Sequence, residues 1–288
     1  MRICRFDDNR LGVVRDGRVH DVTAALDALP PCRYPLPAFD PLVANLDKVR
    51  ARIEALLPSA PSKGVDEVVF LSPVASPGKL VAAPVNYLKH LAEARADAGV
   101  HHDNQILEIQ RIGLFLKATS SLVGPGAGVA VRHHDRRNDH EIELAVIIGE
   151  AGVGIRKEDA WKHVAGYSIG LDMTVRGPEE RSLRKSVDSY SVLGPWMVTA
   201  DEMGDPTALD FCLKVNGQVR QQANTRDLVL GIPELIEFAS AFYTLHPGDV
   251  LYTGTPEGVG PVVPGDQILA EFQGIGQMSV AVRPAQAA

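Results

Sequence analysis

Cysteine is scarce in this chain: 288 residues hold three, Cys4, Cys32 and Cys212, and no two of them form a C-x-x-C pair. That excludes a disulfide scaffold and a thiolate zinc site, and leaves reduced, structural thiols as the expectation. Aromatic residues are few as well, at 6%. Nowhere do about 18 uncharged apolar residues follow one another, the length a membrane-crossing helix needs. The opening "MRICRFDDNRLG" has no apolar stretch behind its first charges, so a cytoplasmic protein with no membrane partner is expected. An excess of positive charge is also missing. With 29 Lys and Arg against 36 Asp and Glu, and a formal net charge of −7, no basic field exists to attract a phosphate backbone, and nucleic acid is not an expected partner. What is present, 45% hydrophobic and 23% charged residues, suits a globular chain with one large core and a smaller module.

Residues 1 to 57 alternate short strand patterns around Asp16-Gly17 in "LGVVRDGRVHDVT". They then turn helical in "LVANLDKVRARIEALL", where Leu46, Val49, Ile53 and Leu57 recur at helical spacing. This predicts a small α+β cap. "PSAPSKG" (Pro58 to Gly64) reads as its linker, because the prolines and the glycine interrupt any periodic element, so residues 1–64 form one unit and residues 65–288 the main body. In the body short strands dominate, among them "EVVFLSPV", "EIELAVIIG", "AGYSIGLDMT", "FCLKVNGQVRQ" and "DVLYTGTP". Helices are expected at "NYLKHLAEARADA", "KEDAWKHVAG" and "GIPELIEFASAFYTL", too few for a regular βαβ alternation. The fold class that follows is α+β and β-rich, a β-roll or barrel with a small N-terminal α+β cap. Asn216-Gly217 marks a hairpin turn, and the tail from Arg283 to Ala288 is expected to fray.

Charge meets burial in "DHEIELAVIIGE" (Asp139 to Glu150). In a strand Glu141 and Glu143 share one side, while Ile142, Leu144, Val146 and Ile148 share the other. Paired carboxylates repel and desolvate badly unless one takes a proton or a cation neutralises them. Alone, an E-x-E pair reads as a solvated strand rim matched by lysines and arginines. Asp172, at the end of "AGYSIGLDMT", adds a third carboxylate. Three carboxylates with positions left for water and substrate make an all-oxygen site that suits Mg²⁺ or Mn²⁺ better than zinc.

In "VNYLKHLAEARADAG", His90 and Glu93 fall at i and i+3 on one face of a helix, where a carboxylate that orients an imidazole makes a general base. By itself the pair is also an ordinary exposed helix pair. Lys185 lies in "RSLRKSVDSYSVLGPW", a polar stretch whose plain reading is a solvated loop. "TGTPEGVGP" (Thr253 to Pro261) packs three glycines and two prolines into nine residues, a rigid loop able to offer Thr hydroxyls and backbone N–H groups to an anion. "GEAGVG" lacks the glycine order of a dinucleotide loop, and the two "HHD" triplets read as solvated histidines.

The ordered set "NYLKHLAEA", "LFLKATSSLVGP", "DHEIELAVIIG", "GLDMTVRG", "RKSVDSYSVLGPW", "NGQVRQ" and "PGDVLYTGTPEGVGP" resembles the fumarylacetoacetate hydrolase superfamily from Lys79 to Val282. The resemblance implies a mixed β-roll in a homodimer, with Mg²⁺ or Mn²⁺ held by Glu141, Glu143 and Asp172. It implies a catalytic His90 and Glu93 pair on a mobile helical segment, with Lys185 near the metal and substrate contacts at Arg176, Thr255 and Ser189. One departure stands out: "VRGPEER" puts Gly177, Pro178 and Glu179 where many members follow the arginine with Asp, an apolar residue and Gln. Glu179 is therefore expected at the substrate, repelling any second carboxylate there. The expected activity is metal-dependent C–C hydrolysis of a 2,4-dioxo (acylpyruvate-like) acid, a small 2-oxo acid substrate, through an enolate that the metal stabilises. Decarboxylation of oxaloacetate-like acids and isomerisation or tautomerisation of 2-hydroxy-diene-dioates use the same metal site and stay open.

Overall fold

The computed structural model describes residues 1–285. Among these, one twelve-stranded sheet carries most of the chain, and sheets of three and five strands complete it. The order across the large sheet is Ser62–Gly64, Arg18–Asp21, Arg10–Arg15, Arg2–Phe6, Ser191–Thr199, Val164–Asp172, Ile142–Ile148, Val250–Tyr252, Leu80–Ala82 and Phe115–Lys117. Most neighbours are antiparallel, but Val250–Tyr252 runs parallel to Leu80–Ala82, so the sheet is mixed. It is a roll, and its two end strands do not meet to close a barrel. No described helix is long and apolar enough to cross a membrane.

Local chemistry sets the hairpins. Asp16 (φ 50°) and Gly17 (φ 72°) both take left-handed backbone, the requirement of a two-residue turn whose twist matches its strands. Asn216 (φ 51°) and Gly217 (φ 79°) repeat the device between Asp210–Val215 and Gln218–Asn224. The helix Leu46–Leu56 buries Val49 and Ile53, as its apolar spacing predicts.

Three expectations need correction. Pro58 to Gly64 is not a free linker: a 3-10 turn leads into the strand Ser62–Gly64, which pairs with Arg18–Asp21. The first strand, Arg2–Phe6, hydrogen-bonds to Ser191–Thr199, and Ile3, Leu11 and Ile53 share one core with Ala145, Leu193 and Tyr252. The N-terminal segment is thus built into the sheet, because its edge strand would otherwise leave a row of backbone groups unpaired. "KEDAWKHVAG" yields only the 3-10 turn Ala160–His163, too few residues to nucleate an α-helix before the chain enters its next strand. In the tail, Arg283 and Pro284 are held beside Ala130 and Val131, while residues 286–288 lie outside the described residues.

The strand Ile142–Ile148 is buried on both sides. Ile142, Leu144, Val146 and Ile148 face one core cluster, Ala145 and Ile147 the other. Two apolar cores thus grip the strand whose first residues carry the acids.

Candidate active site

Strand register gathers the acids. Ile142 pairs with Leu171 and Glu143 with Gly170, and the Asp172 N–H donates to the Glu141 carbonyl at 2.9 Å. Directly opposed residues point to the same side of a sheet, so Glu141, Glu143 and Asp172 share one face. Each is at most 4% exposed, and each offers a carboxylate oxygen within 4.8 Å of the others.

Their charges are unequally answered. Glu141 accepts from Arg176 Nη2 at 2.8 Å, Thr174 Oγ1 at 3.1 Å and Lys185 Nζ at 2.6 Å. Burial alone would raise its pKa, yet Lys185 and Arg176 hold it well below the usual carboxylate range. Asp172 accepts from Lys185 Nζ at 2.8 Å and from Lys117 Nζ. Glu143 accepts the Gly254 N–H at 2.6 Å, and among the described residues no lysine or arginine pairs with it. Burial, with Asp172 and Glu141 adding to it against Lys185, lifts its pKa well above the usual range. A buried carboxylate with two like neighbours and no cation of its own is what a divalent ion would neutralise. Three carboxylate oxygens at this spacing fit Mg²⁺ or Mn²⁺.

The loop after Val250–Tyr252 seals the floor. The Thr253 N–H donates to the Leu144 carbonyl at 3.1 Å, and Thr255 Oγ1 donates to Ile142 O at 2.9 Å. Gly254 (φ 100°) and Gly258 (φ 91°) turn their N–H groups to carboxylates, Gly254 to Glu143 and Gly258 to Glu93 Oε1 at 2.9 Å. The anions this rigid loop receives are the protein's own.

The helix Leu88–Ala96 brings the second group. Its entry is pinned by buried Asn86, whose Nδ2 donates to Leu230 O and Thr253 O, each at 2.9 Å. His90 Nδ1 meets Glu93 Oε2 at 2.9 Å. Glu93 is thus held from both sides, and the other ring nitrogen of His90, Nε2, is left for the cavity that His90 lines. Glu141, Glu143, Asp172, Arg176, Lys185 and Thr255 line the same cavity.

Other expected residues are placed differently. Arg176 reaches the cavity, but its Nε is committed to Asp139 at 2.8 Å and its Nη2 to Glu141, so it braces a carboxylate. Ser189, expected at the substrate, turns its hydroxyl to the Ala130 N–H at 2.8 Å and lies outside the cavity lining. Glu179, expected to repel a second substrate carboxylate, is an exposed residue ion-paired with Arg136 at 2.7 Å. The Arg136 pair holds its pKa low, and its charge is answered outside the cavity. Lys185, by contrast, is where the resemblance expects it, buried in the acidic cluster although its stretch reads as a solvated loop.

Sequence reading passed over Lys117, which also donates to Tyr190 O at 2.8 Å, and buried Asp139, which joins Arg137 to Arg176. A lysine closing the apolar strand Phe115–Lys117 was the available signal for the first. Gln221 left none: from a distant hairpin it donates to Thr255 Oγ1 at 2.8 Å and accepts from the Ile142 N–H at 3.1 Å.

The family model described as Fumarylacetoacetate (FAA) hydrolase C-terminal matches residues 79–283. The chain belongs to the fumarylacetoacetate hydrolase family. Every carboxylate, lysine and arginine of the acidic cluster falls within the matched span. Among relatives in the family, a maleylpyruvate hydrolase of Aquipseudomonas alcaligenes is 58% identical over 285 residues, 98% of this chain and 99% of that protein. The human mitochondrial oxaloacetate tautomerase FAHD2A is 36% identical over 266 residues, 84% of this chain and 81% of that protein. The crystal structure of maleylpyruvate hydrolase from Sphingobium sp. SYK-6, in complex with manganese(II) ion and pyruvate, superposes with a TM-score of 0.84 at 42% identity, covering 99% of this chain and 100% of that one.

Proposed function

We propose that this protein is a Mg²⁺- or Mn²⁺-dependent hydrolase that cleaves a C–C bond of a 2,4-dioxo acid, with maleylpyruvate as the first substrate to test. One observation carries the reading: His90, held by Glu93, and the buried cluster Glu141, Glu143 and Asp172 open onto one cavity. Decarboxylation asks only for the metal, whereas hydrolysis also needs a base poised on water. The identity to a maleylpyruvate hydrolase over nearly the whole chain supports the same choice over tautomerisation.

A divalent cation held by Glu141, Glu143 and Asp172 would supply Lewis acidity to the 2-oxo acid end of the substrate. His90, its Nδ1 held by Glu93, takes a proton from water at Nε2, and the hydroxide so formed adds to the carbon 4 carbonyl. The carbon 3–carbon 4 bond then breaks, its electron pair passing into the enolate of pyruvate. Carbon 4 leaves as a carboxylic acid. The Lys185 ammonium, 2.6 Å from Glu141 and 2.8 Å from Asp172, faces this charge and is placed to stabilise it or to return a proton to carbon 3. Thr255 and the backbone of its loop shape the substrate's bed, and Arg176 keeps Glu141 oriented. Residues 1–64, although their strands extend the sheet of the body, serve as a cap on the catalytic body of residues 65–288, and a family model that begins at residue 79 supports a catalytic part that excludes them. A homodimer, supported by the family resemblance, and a cytoplasmic location complete the proposal.

The test is an assay of EDTA-stripped protein with maleylpyruvate, with and without added Mn²⁺ or Mg²⁺. Metal-dependent release of pyruvate and maleate is expected. Substrate isomerised without pyruvate release would move the assignment to the tautomerases.

A further inference from the structure

The short helix Arg181–Lys185 carries three cations into the cavity, and the proposed reaction uses one. Arg181 precedes Lys185 by a full helical turn and shares its face. The Arg181 guanidinium and the Lys185 ammonium each lie 5.7 Å from the centroid of the Phe115 ring. Arg184 is steadied by a 2.7 Å bond from Nε to the Glu179 carbonyl.

Carboxylates act on both guanidinium groups only at longer range, Glu180 and Asp172 on Arg181 and Glu141 and Glu179 on Arg184. Arg176 next to them is ion-paired to both Asp139 and Glu141, but among the described residues neither Arg181 nor Arg184 forms an ion pair, and Arg181 donates no hydrogen bond. Glu179 is bound to Arg136 instead. Burial pulls both groups below the ordinary arginine pKa, Arg176 pulls Arg184 further, and the nearby carboxylates offset this only in part, so both charges are partly desolvated without an ion-pair partner. The cavity lining holds three carboxylates against Arg176, Arg181, Arg184 and Lys185. With a divalent cation bound it is clearly electropositive. The carboxylate next to a 2-oxo group answers part of that excess, and the fork geometry of two guanidinium groups, Arg181 without a hydrogen bond and Arg184 bonded only to backbone carbonyls, suits a second one.

We propose that Arg181 and Arg184 receive a carboxylate at the far end of the substrate, so that the cavity selects 2-oxo acids with two carboxylates over those with an uncharged far end. The inference rests on the proposed function only in placing the 2-oxo acid end at Glu141, Glu143 and Asp172. It reverses the expectation drawn from Glu179: the charge that reads the far end is positive.

The test is calorimetric binding to the full-length Mn²⁺-loaded protein of two unreactive ligands of equal length, 2-oxoheptanedioate and 2-oxoheptanoate. The wild type should favour the diacid by roughly tenfold to a hundredfold, the range of a charge-assisted hydrogen bond. Arg181→Met and Arg184→Met should each shrink that ratio, the double variant should bring it close to one, and Arg181→Lys should keep part of it. In the wild type the ratio should also fall as salt is raised, which needs no variant to fold. A wild-type ratio of one, or one that survives in the double variant, overturns the proposal. Because binding is read without turnover, a protein that prefers the diacid yet releases no pyruvate from maleylpyruvate would refute the proposed reaction and uphold this selectivity.

Discussion

Replacing Glu143 by Gln should act oppositely on the metal-free and the metal-loaded protein. The Glu143 carboxyl is buried beside Asp172 and Glu141, and its pKa in the folded protein stands well above the ordinary value of 4.5. Above that value the unfolded chain has released the proton while the folded, metal-free protein still holds it. Metal-free stability therefore falls as pH rises from 4.5 toward the raised pKa, by up to about 1.4 kcal/mol per pH unit for one proton. Glu141 has the opposite sign: its folded pKa is depressed, so its contribution is full above its unfolded value of 4.5 and is lost only as pH falls below it, leaving the slope unmasked. Glutamine does not titrate, and Glu143→Gln should flatten the slope in urea unfolding run in EDTA across that range. Adding Mn²⁺ to the wild type at 100 times its Kd stabilises by about 2.7 kcal/mol through mass action. Over 288 residues, at about 2.1 cal/mol/K of unfolding entropy each, that raises Tm by roughly 4–5 °C. The variant should lose most of that rise. An unchanged pH slope, or the full Mn²⁺ shift in the variant, would refute the account of Glu143 as the carboxylate that waits for a cation.

His90→Ala should lower kcat for C–C hydrolysis by about 10²–10⁴, leaving Mn²⁺ affinity and any metal-dependent decarboxylation of oxaloacetate in place; full hydrolysis by the variant would sink the base role. Lys117→Met removes a wholly buried ammonium from Asp172 and from the Tyr190 carbonyl, and should cost about 3–5 kcal/mol in urea unfolding with EDTA present, less with Mn²⁺. Equal losses in the two conditions would separate Lys117 from the metal cluster. Gly254→Ala places a Cβ at φ 100°, 2.6 Å from the Asn86 Cβ, and shifts the N–H that Glu143 accepts. A loss of about 1–3 kcal/mol together with weaker Mn²⁺ binding is expected, and an unaltered Mn²⁺ isotherm would show that the loop does not set Glu143.

Parts of the site are legible because they obey local periods. Strand alternation puts Glu141 and Glu143 on one face whatever the fold, and i, i+3 spacing brings His90 to Glu93 once a helix forms. Asp172 is harder, since its place opposite Glu141 depends on the register of two strands. Lys185 is legible only through the family resemblance, because its Ser and Arg neighbours suggest solvent while its ammonium is drawn inward by two buried carboxylates. Glu179 was misread: a motif position carries no record of Arg136, more than forty residues earlier, which claims its charge. The N-terminal segment looked separable because proline and glycine mark a boundary along the chain, but they do not report an open sheet edge beside Ser191–Thr199.

The sequence by itself determined the class of chemistry, three carboxylates for a hard cation with an imidazole and a carboxylate close by, because residue type and local period are properties of short segments. The tertiary structure alone decided which charges are answered. Arg176 braces Glu141, Lys117 and Lys185 hold Asp172, Glu143 has no cation of its own, and Arg181 and Arg184 face the cavity unpaired. Partners in an ion pair are chosen by distance and burial, and both are set only when segments far apart in the chain pack together.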